Sequence, residues 1–563
     1  MDPLHPQFPN NTSEAKTPRE NQTSISSLID PVFAFDGLYS GPLDGPGGPG
    51  FDANQTTMAS GSVGNWLEKM PSLPSGASLP GLHQGSLNGD AAGTCPDNIP
   101  ILPQYRCLEP VLPRLRGILS AEEASEMLEI YFNEQRNSLF KSTSPYALTH
   151  VLHPSSALHS TDPRPMSPTL LVVVLFCVAQ TADMKVFDPP GARERIVVDI
   201  YRLSLDLIQP DDADNYFRTS GGHYKADSLR WLDKLMRLVR ASGLSMEDQD
   251  TDPFPGPEGF FSGHSAHRRR LIAKEERRRL FWLVYCLDRH LALSFNLPLH
   301  IPEGTFCVRA PLPEQVWRAL DTADLESIPT CPLGPPTQIS GAGFFEYFLP
   351  LASILGHIID LHHCRNHPLL GEFMSADAVR RIEDMISKRQ QELVELDNQA
   401  CAFYDPLSKP PTMNAFSKHG NGGTNAFVPP ATGASPAGSK IPLVKAYSTY
   451  LLHVFYILLH GKWDPISMIE EKDDWITSER FVACASHALS ATGVLSQILT
   501  FDPELTFMPY LFGIYLLQGS FIFLLFVDRM PELGPNRSVE EVCETIIRAH
   551  EVCVVTLDTT FQV

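Results

Sequence analysis

The stretch from Arg268 to Leu293 constrains this chain more than any other. It opens with seven basic residues in twelve, Arg268-Arg269-Arg270-Leu271-Ile272-Ala273-Lys274-Glu275-Glu276-Arg277-Arg278-Arg279. It then passes directly into Leu280-Phe281-Trp282-Leu283-Val284-Tyr285-Cys286-Leu287. A helix that is apolar all round belongs inside a core. Asp288 and Arg289 follow while the helix is still in that core, and buried charges must be paired. The sequence therefore predicts one long helix over 273–293, with Pro298 beyond its end and a partner charge on a neighbouring helix. Glu275 stands four residues before Arg279, the spacing of a helical ion pair. The basic run also matches nuclear-import and nucleic-acid patches. Its continuation into buried helix makes a structural ion-pair role the stronger reading.

The rest of the chain reads as helices with two polar interruptions. Residues 1–100 carry three basic residues (Lys16, Arg19, Lys69) and ten acidic ones among many Pro, Gly, Ser and Asn. Such a segment cannot bury enough apolar surface to offset its ordering entropy, so it is expected to be disordered. Within it, Leu28–Tyr39 interleaves acidic and bulky apolar residues, the composition of partner-docking segments and equally of an adhesive patch in a tail. From about residue 101 the pattern changes. Ser120-Ala121-Glu122-Glu123 is a capping box opening a helix toward Tyr131. Pro168 precedes the apolar run Leu170–Ala179. Helical spacing marks 192–207, 226–243 with Gly243 as the stop, 344–361 and 376–396. Residues 405–440 return to Pro, Gly, Asn and Ser and read as a linker. Helical stretches follow near 442–460, 477–500, 509–528 and 538–556. No sustained strand alternation and no internal repeat is present. The expected class is all-α: a large helical domain over 101–404, a disordered N-terminal region, a disordered internal linker, and a C-terminal helical part, 441–563, on the same core.

Composition narrows the chemistry. Lys+Arg total 44 against 65 Asp+Glu, a net charge of −21. So acidic a chain is a poor non-specific partner for phosphate backbones. The start lacks a charged n-region and an apolar h-region, which argues against secretion. Eleven cysteines are scattered without C-x-x-C spacing, as expected of reduced intracellular thiols. His363 and His367 share a helix face, yet no closed ligand set accompanies them, so a His-rich helix end is favoured over a metal site. Phe507–Val527 is free of charge over membrane-spanning length, but Pro509, Gly513, Gln518, Gly519 and Ser520 interrupt it. A buried core helix is the better reading, with no second segment of that kind expected. Phosphate-binding glycine loops, a nucleophile elbow and a carboxylate set are all absent, and Asp211-Asp212-Ala213-Asp214 reads as a loop.

The run Lys274–Leu293 with Pro298 beyond it resembles the signature E-x-R-R-R-x-F/W-W, Tyr, Asp-Arg, Pro of the fungal-specific transcription factor domain, the middle homology region of the binuclear zinc cluster family, with Glu276, Arg277, Arg278, Arg279, Trp282, Tyr285, Asp288, Arg289 and Pro298 as its signature residues here. Arg289-His290-Leu291-Ala292-Leu293 followed by Asn296 and Pro298 is similar to the xylanolytic activator branch. So are Gly461–Ile466, Asp502–Phe521 and Cys543–Glu551, and upstream Leu108–Pro113 and Ala179–Thr181. The resemblance implies a nuclear transcription activator of xylan and pentose-use genes with a possible cytoplasmic pool, not an enzyme. It implies transcription machinery or co-regulators as partners, with a homodimer and a sugar-derived inducer also open, and no membrane. Zinc is expected only in a six-cysteine DNA-binding module, whose cysteines this sequence lacks. DNA would be reached through a missing module or a partner. A DNA-free co-regulator or scaffold, an all-α enzyme and a membrane-anchored protein are the alternatives.

Overall fold

Ser120 and Glu123 cap each other: the Ser120 amide donates to Glu123 Oε2 at 2.7 Å, and the Glu123 amide donates to Ser120 Oγ at 3.1 Å. This reciprocal pairing satisfies two of the amides left open at a helix start. In the computed structural model, which describes residues 104–132, 149, 151–159, 163–207, 224–247, 264–365, 376–403, 436–470, 474–533 and 537–561, all regular structure is helical apart from two isolated bridges. The helices are α1 (Leu112–Leu115), α2 (Ala121–Phe132), α3 (Pro154–Ala157), α4 (Pro168–Thr181), α5 (Ala192–Leu207), α6 (Tyr224–Ala241), α7 (His264–Phe295) and α8 (Glu314–Arg318). They continue with α9 (Phe344–Arg365), α10 (Ala376–Phe403), α11 (Pro436–His460), α12 (Pro465–Ile469), α13 (Glu479–Phe501), α14 (Pro509–Leu533) and α15 (Arg537–Phe561). The all-α expectation holds. The N-terminal region to residue 100, most of 405–440, Leu28–Tyr39, Asp211–Asp214 and His367 lie outside the described residues.

Apolar burial divides the helices into two main cores. One joins α2, α4 and α5 around Leu128, Leu175, Val178 and Ile200. The other runs from α6 and α7 through α9, α10, α11, α13, α14 and α15. Its centre is aromatic: Phe348, Phe455, Phe512 and Tyr515 are buried almost completely. A small satellite of Ile272, Leu312, Trp317 and Leu320 lies beside it. Burial of this extent is the dominant favourable term in holding such helices together.

Two helix ends show why the chain turns where it does. Gly243 adopts φ +61° after α6. There the Leu244 amide bonds Val239 O at 3.0 Å and the Gly243 amide bonds Arg240 O at 3.2 Å, the paired bonds of a Schellman stop. After α7, Asn296 takes the same left-handed conformation (φ +52°), with the Leu297 amide on Ala292 O at 2.9 Å. Pro298 follows.

Two expectations need correction. The long helix begins at His264, not at 273, because the basic run is itself helical and joins α7 without a break. Phe507–Val527 is also not alone in its length and hydropathy. Four described helices meet both: Phe344–Arg365, Lys440–His460, Glu479–Phe501 and Leu511–Asp528. They pack on one another: Leu349, Leu451, Leu495 and Leu511 all belong to the same buried cluster.

Burial pushes His290, His362, His487 and His550 down to about 4, His362 also through His363 and Arg365 and His487 also through His453 and His460. Their ordinary value is about 6.5. Between those values the unfolded chain holds more protons than the folded one, so stability falls as pH drops from 6.5 toward 4. Urea unfolding is expected to show a lower midpoint at pH 5 than at pH 7. Equal midpoints would contradict neutral buried histidines.

Candidate functional site

The signature residues lie along one helix, α7, and most of them grip a single segment. After Pro298 the chain doubles back along α7 as a strap, residues 299–323, whose only α-helix is the five-residue α8. A segment with so little internal hydrogen bonding must find partners for its backbone elsewhere. The side chains of α7 provide them, in a ladder that climbs the helix as it follows the strap in reverse.

The ladder starts at Asp288, which is fully buried. Its carboxylate accepts from the amides of His300 at 3.1 Å and Ile301 at 3.0 Å, from His300 Nδ1 at 3.1 Å and from Arg289 at 3.3 Å. Arg289, also fully buried, donates to Ile301 O at 2.8 Å and pairs with Glu303 at 3.2 Å. Tyr285 OH donates to the same Glu303. One turn back, Trp282 Nε1 donates to Arg309 O at 2.7 Å. Its ring packs edge-on against Tyr285 and Phe306. A further turn back, Arg279 meets Glu314 through both terminal nitrogens at 3.1 Å and Leu312 O at 3.2 Å. Glu275 accepts from the Leu312 amide at 2.8 Å. Near the start of the helix, Arg268 donates to Leu320 O and Ala323 O, both at 2.9 Å. Residues 288, 282, 279 and 268 thus meet 300, 309, 312 and 320 in order.

Glu275 and Arg279 do pair at i,i+4, at 3.3 Å. Arg278 bridges Glu275 and Glu247, each at 2.6 Å. Burial opposes the charge on Arg278, but these two carboxylates hold its guanidinium above its ordinary value. Burial raises the Glu275 carboxyl, against the pull of Arg278 and Arg279. Glu314 is half-buried, and Arg279 and Arg318 overcome the effect of that burial and keep its carboxyl below the ordinary range.

The partner of Asp288 departs from expectation. It was expected on a neighbouring helix, whereas its charge partner is Arg289 beside it and its amide partners come from the strap. The strap has no helical amides to satisfy itself, and so it competes successfully for the carboxylate. Arg277 also acts differently from its neighbours. It donates to Ser242 O at 2.9 Å and Gly243 O at 2.8 Å, closing the open carbonyls at the end of α6. Glu276 reaches away from the strap and meets His153 and Arg164. Pro298 is exposed at the turn. Sequence reasoning singled out Glu276 and paired Glu275 with Arg279 by its spacing, but left Glu247, Glu303 and Glu314 out of the site. The others are brought in by the strap, and no local pattern marks them.

Gly356 of α9 lies against this ladder at Arg289. A Cβ there would stand 3.3 Å from Arg289 Nε and 3.6 Å from Leu299. Gly356→Ala is expected to destabilise the domain by about 1–3 kcal/mol through overpacking, although alanine favours helix. A thermal melt higher than wild type would show that Arg289 yields without cost.

His362 is stacked on Trp463 at 3.8 Å. Among the described residues no three His, Cys, Asp or Glu side chains converge on one point. The arrangement is that of a helical domain whose buried charges fix a long irregular segment.

Comparisons with known proteins agree. The model of the fungal specific transcription factor domain matches residues 215–399, which contain α7, the strap and α9. The xylanolytic transcriptional activator xlnR of Aspergillus niger is 31% identical over 100% of this chain and 68% of its own length. The proteins of that name from Aspergillus clavatus and Emericella nidulans are 33% and 32% identical, over 90% and 98% of this chain and 61% and 65% of theirs. The chain therefore spans roughly two thirds of these relatives. No solved structure matches it. The chain belongs to the fungal transcription factor family, in the xylanolytic activator branch. It is a transcription regulator and not an enzyme.

Proposed function

We propose that this chain is the regulatory and activating portion of a nuclear activator of xylan and hemicellulose degradation genes. The similarity of the whole chain to the xlnR activators carries this reading. The α7 ladder supports it, because it is a device for holding a regulatory core rather than for performing a reaction. The chain contains no six-cysteine cluster. DNA reading therefore falls to such a module, with its zinc, on the same polypeptide or on a partner. These 563 residues need no cofactor of their own. Co-regulators of the transcription machinery are the direct partners, and part of the population waits in the cytoplasm until induction.

A sugar-derived inducer is assigned to one groove among the described residues. A groove of about 510 Å³ is lined by Thr337, Gln338, Lys388, Arg389, Gln391, Glu392 and Glu395. Two cations offset two carboxylates, so it favours a neutral hydroxylated ligand over an anion. The test is deletion of the gene followed by RNA sequencing on xylan. Loss of induction of hemicellulase transcripts is expected, and unchanged transcripts would reject the reading. Titration calorimetry with pentoses, on wild type and Gln391→Ala, then tests the groove separately. Heat from wild type that the variant abolishes is expected, and an equal response would remove the groove.

A further inference from the structure

The helices over 104–207 have their own apolar core, which shares no member with the large one. Among the described residues, 151–159 and 163–166 join them. On one side they rest on the first core through Leu158 and Met166. On the other they meet α7 and the strap through hydrogen bonds. The His153 amide donates to Glu276 Oε1 at 2.8 Å, and Arg164 forms an ion pair with Glu276 Oε2. The His153 ring packs edge-on to Trp317 at 4.7 Å. Its Nδ1 accepts from the Ser155 amide at 3.2 Å, which leaves Nε2 as the donor to Trp317 O at 3.0 Å. Glu276 is only 4% exposed and His153 1%.

A joint of this kind differs from an apolar one. Oily surfaces slide and repack with graded cost, and contacts between packing units that are more polar than obligate interfaces leave relative motion as the default. Here a buried carboxylate depends on two donors from the other unit. While both are present its burial is compensated. Withdrawing Arg164 leaves an unpaired charge in a dry site, and withdrawing the amide leaves one carboxylate oxygen without its donor. The joint is therefore two-state, docked or released, which is what a switch requires. Arg164 is the accessible end: its side chain is 27% exposed against 5% for Glu276. A competing charge can reach the pair from that side.

We propose that Glu276 is a latch. It docks the N-terminal helical unit on the signature helix, and release of that unit frees the activation function. The regulatory half of this inference rests on the transcriptional reading above; the docking half does not. The signature residue that faces away from the strap thereby acquires a role that the rest of the ladder does not share.

The test uses the full chain with Glu276→Gln, and separately Arg164→Met, which alters the exposed partner. Hydrogen exchange resolved by peptide is the first readout. Peptides of 151–159, of 163–166 and of the contacting face of α7 are expected to exchange about a hundredfold faster, the lower end of what breaking a buried pair does. Peptides of α9, α11 and α14 are expected to stay as in wild type, which separates release from unfolding. Unchanged exchange at the joint in both variants would overturn the latch. So would equal loss of protection across both cores in both variants, since Glu276 would then be a general core group. The second readout is a reporter driven by each full chain fused to a heterologous DNA-binding domain, without inducer. A several-fold rise over wild type is expected. Released exchange with an unchanged reporter would overturn the regulatory role while keeping the joint. A reporter that wild type cannot drive under any condition would count against the transcriptional reading, and exchange would still decide the latch.

Discussion

Asp288→Ala is expected to destabilise the large core by about 3–5 kcal/mol, the cost of leaving buried charge and donors without their partner. The carboxylate is fully buried and receives four donors. Its removal leaves the amides of His300 and Ile301 open in a dry site and strips Arg289 of a neighbouring charge. Arg289 keeps Glu303, which is why the loss stays within that range and does not exceed it. Asp288→Asn separates charge from shape. One side of the amide still accepts, but the other points N–H groups at an N–H donor, since both carboxylate oxygens accept from amides in the native protein. Asparagine is therefore expected to recover less than half of the loss. Urea unfolding of the two variants checks both statements. A melting temperature for Asp288→Ala equal to wild type would remove the buried-pair argument altogether.

How far this site was legible from sequence depends on where each partner lies. Helix α7 was readable because its determinants are local. An apolar run that circles the helix, a Glu275–Arg279 spacing and Pro298 beyond its end all act within a few residues. The capping box at Ser120 and the stop at Gly243 were readable for the same reason. The helix start at His264 was not, because three consecutive arginines look like a surface element until Arg268 is seen bonded to Leu320 O and Ala323 O. The strap was illegible. Residues 299–323 have no periodicity, since their order comes from the side chains of another element. The same physics explains the misplaced partner of Asp288. A pairing rule derived from helix packing looks for a charge on the next helix, whereas an irregular segment with open amides is the stronger claimant for a carboxylate. Family resemblance located the signature; only the contacts separate its members into strap holders (Arg279, Trp282, Tyr285, Asp288, Arg289), an ion-pair bridge to Glu247 (Arg278), a helix cap (Arg277) and the joint to the first core (Glu276).

Arg279→Met is expected to cost about 3 kcal/mol, at the lower edge of the range for breaking a buried pair. The side chain is 1% exposed and, beyond its bond to Leu312 O, serves three groups at once. Glu275, equally buried, keeps Arg278 and the Leu312 amide, so its charge is only partly orphaned. Glu314 keeps Arg318 and is more open, so it loses less. The third group is aromatic: the guanidinium lies 4.6 Å from the Trp317 ring centre, within reach of a cation–π contact. Methionine fills the volume and keeps contact with that ring, and this limits the loss. Arg279→Lys is not expected to rescue, because one ammonium cannot meet Glu314, Glu275 and Leu312 O in a planar fork. A double-mutant cycle with Glu314→Gln supplies the decisive number. The pair shares hydrogen bonds from both terminal nitrogens, so a coupling of about 1–2 kcal/mol is expected between them. Coupling near zero would mean that Arg279 acts through packing on Trp317 and Phe345 alone. In that case the strap would be held at this point by its apolar satellite of Ile272, Leu312 and Leu320, and charge would be confined to the two ends of the ladder.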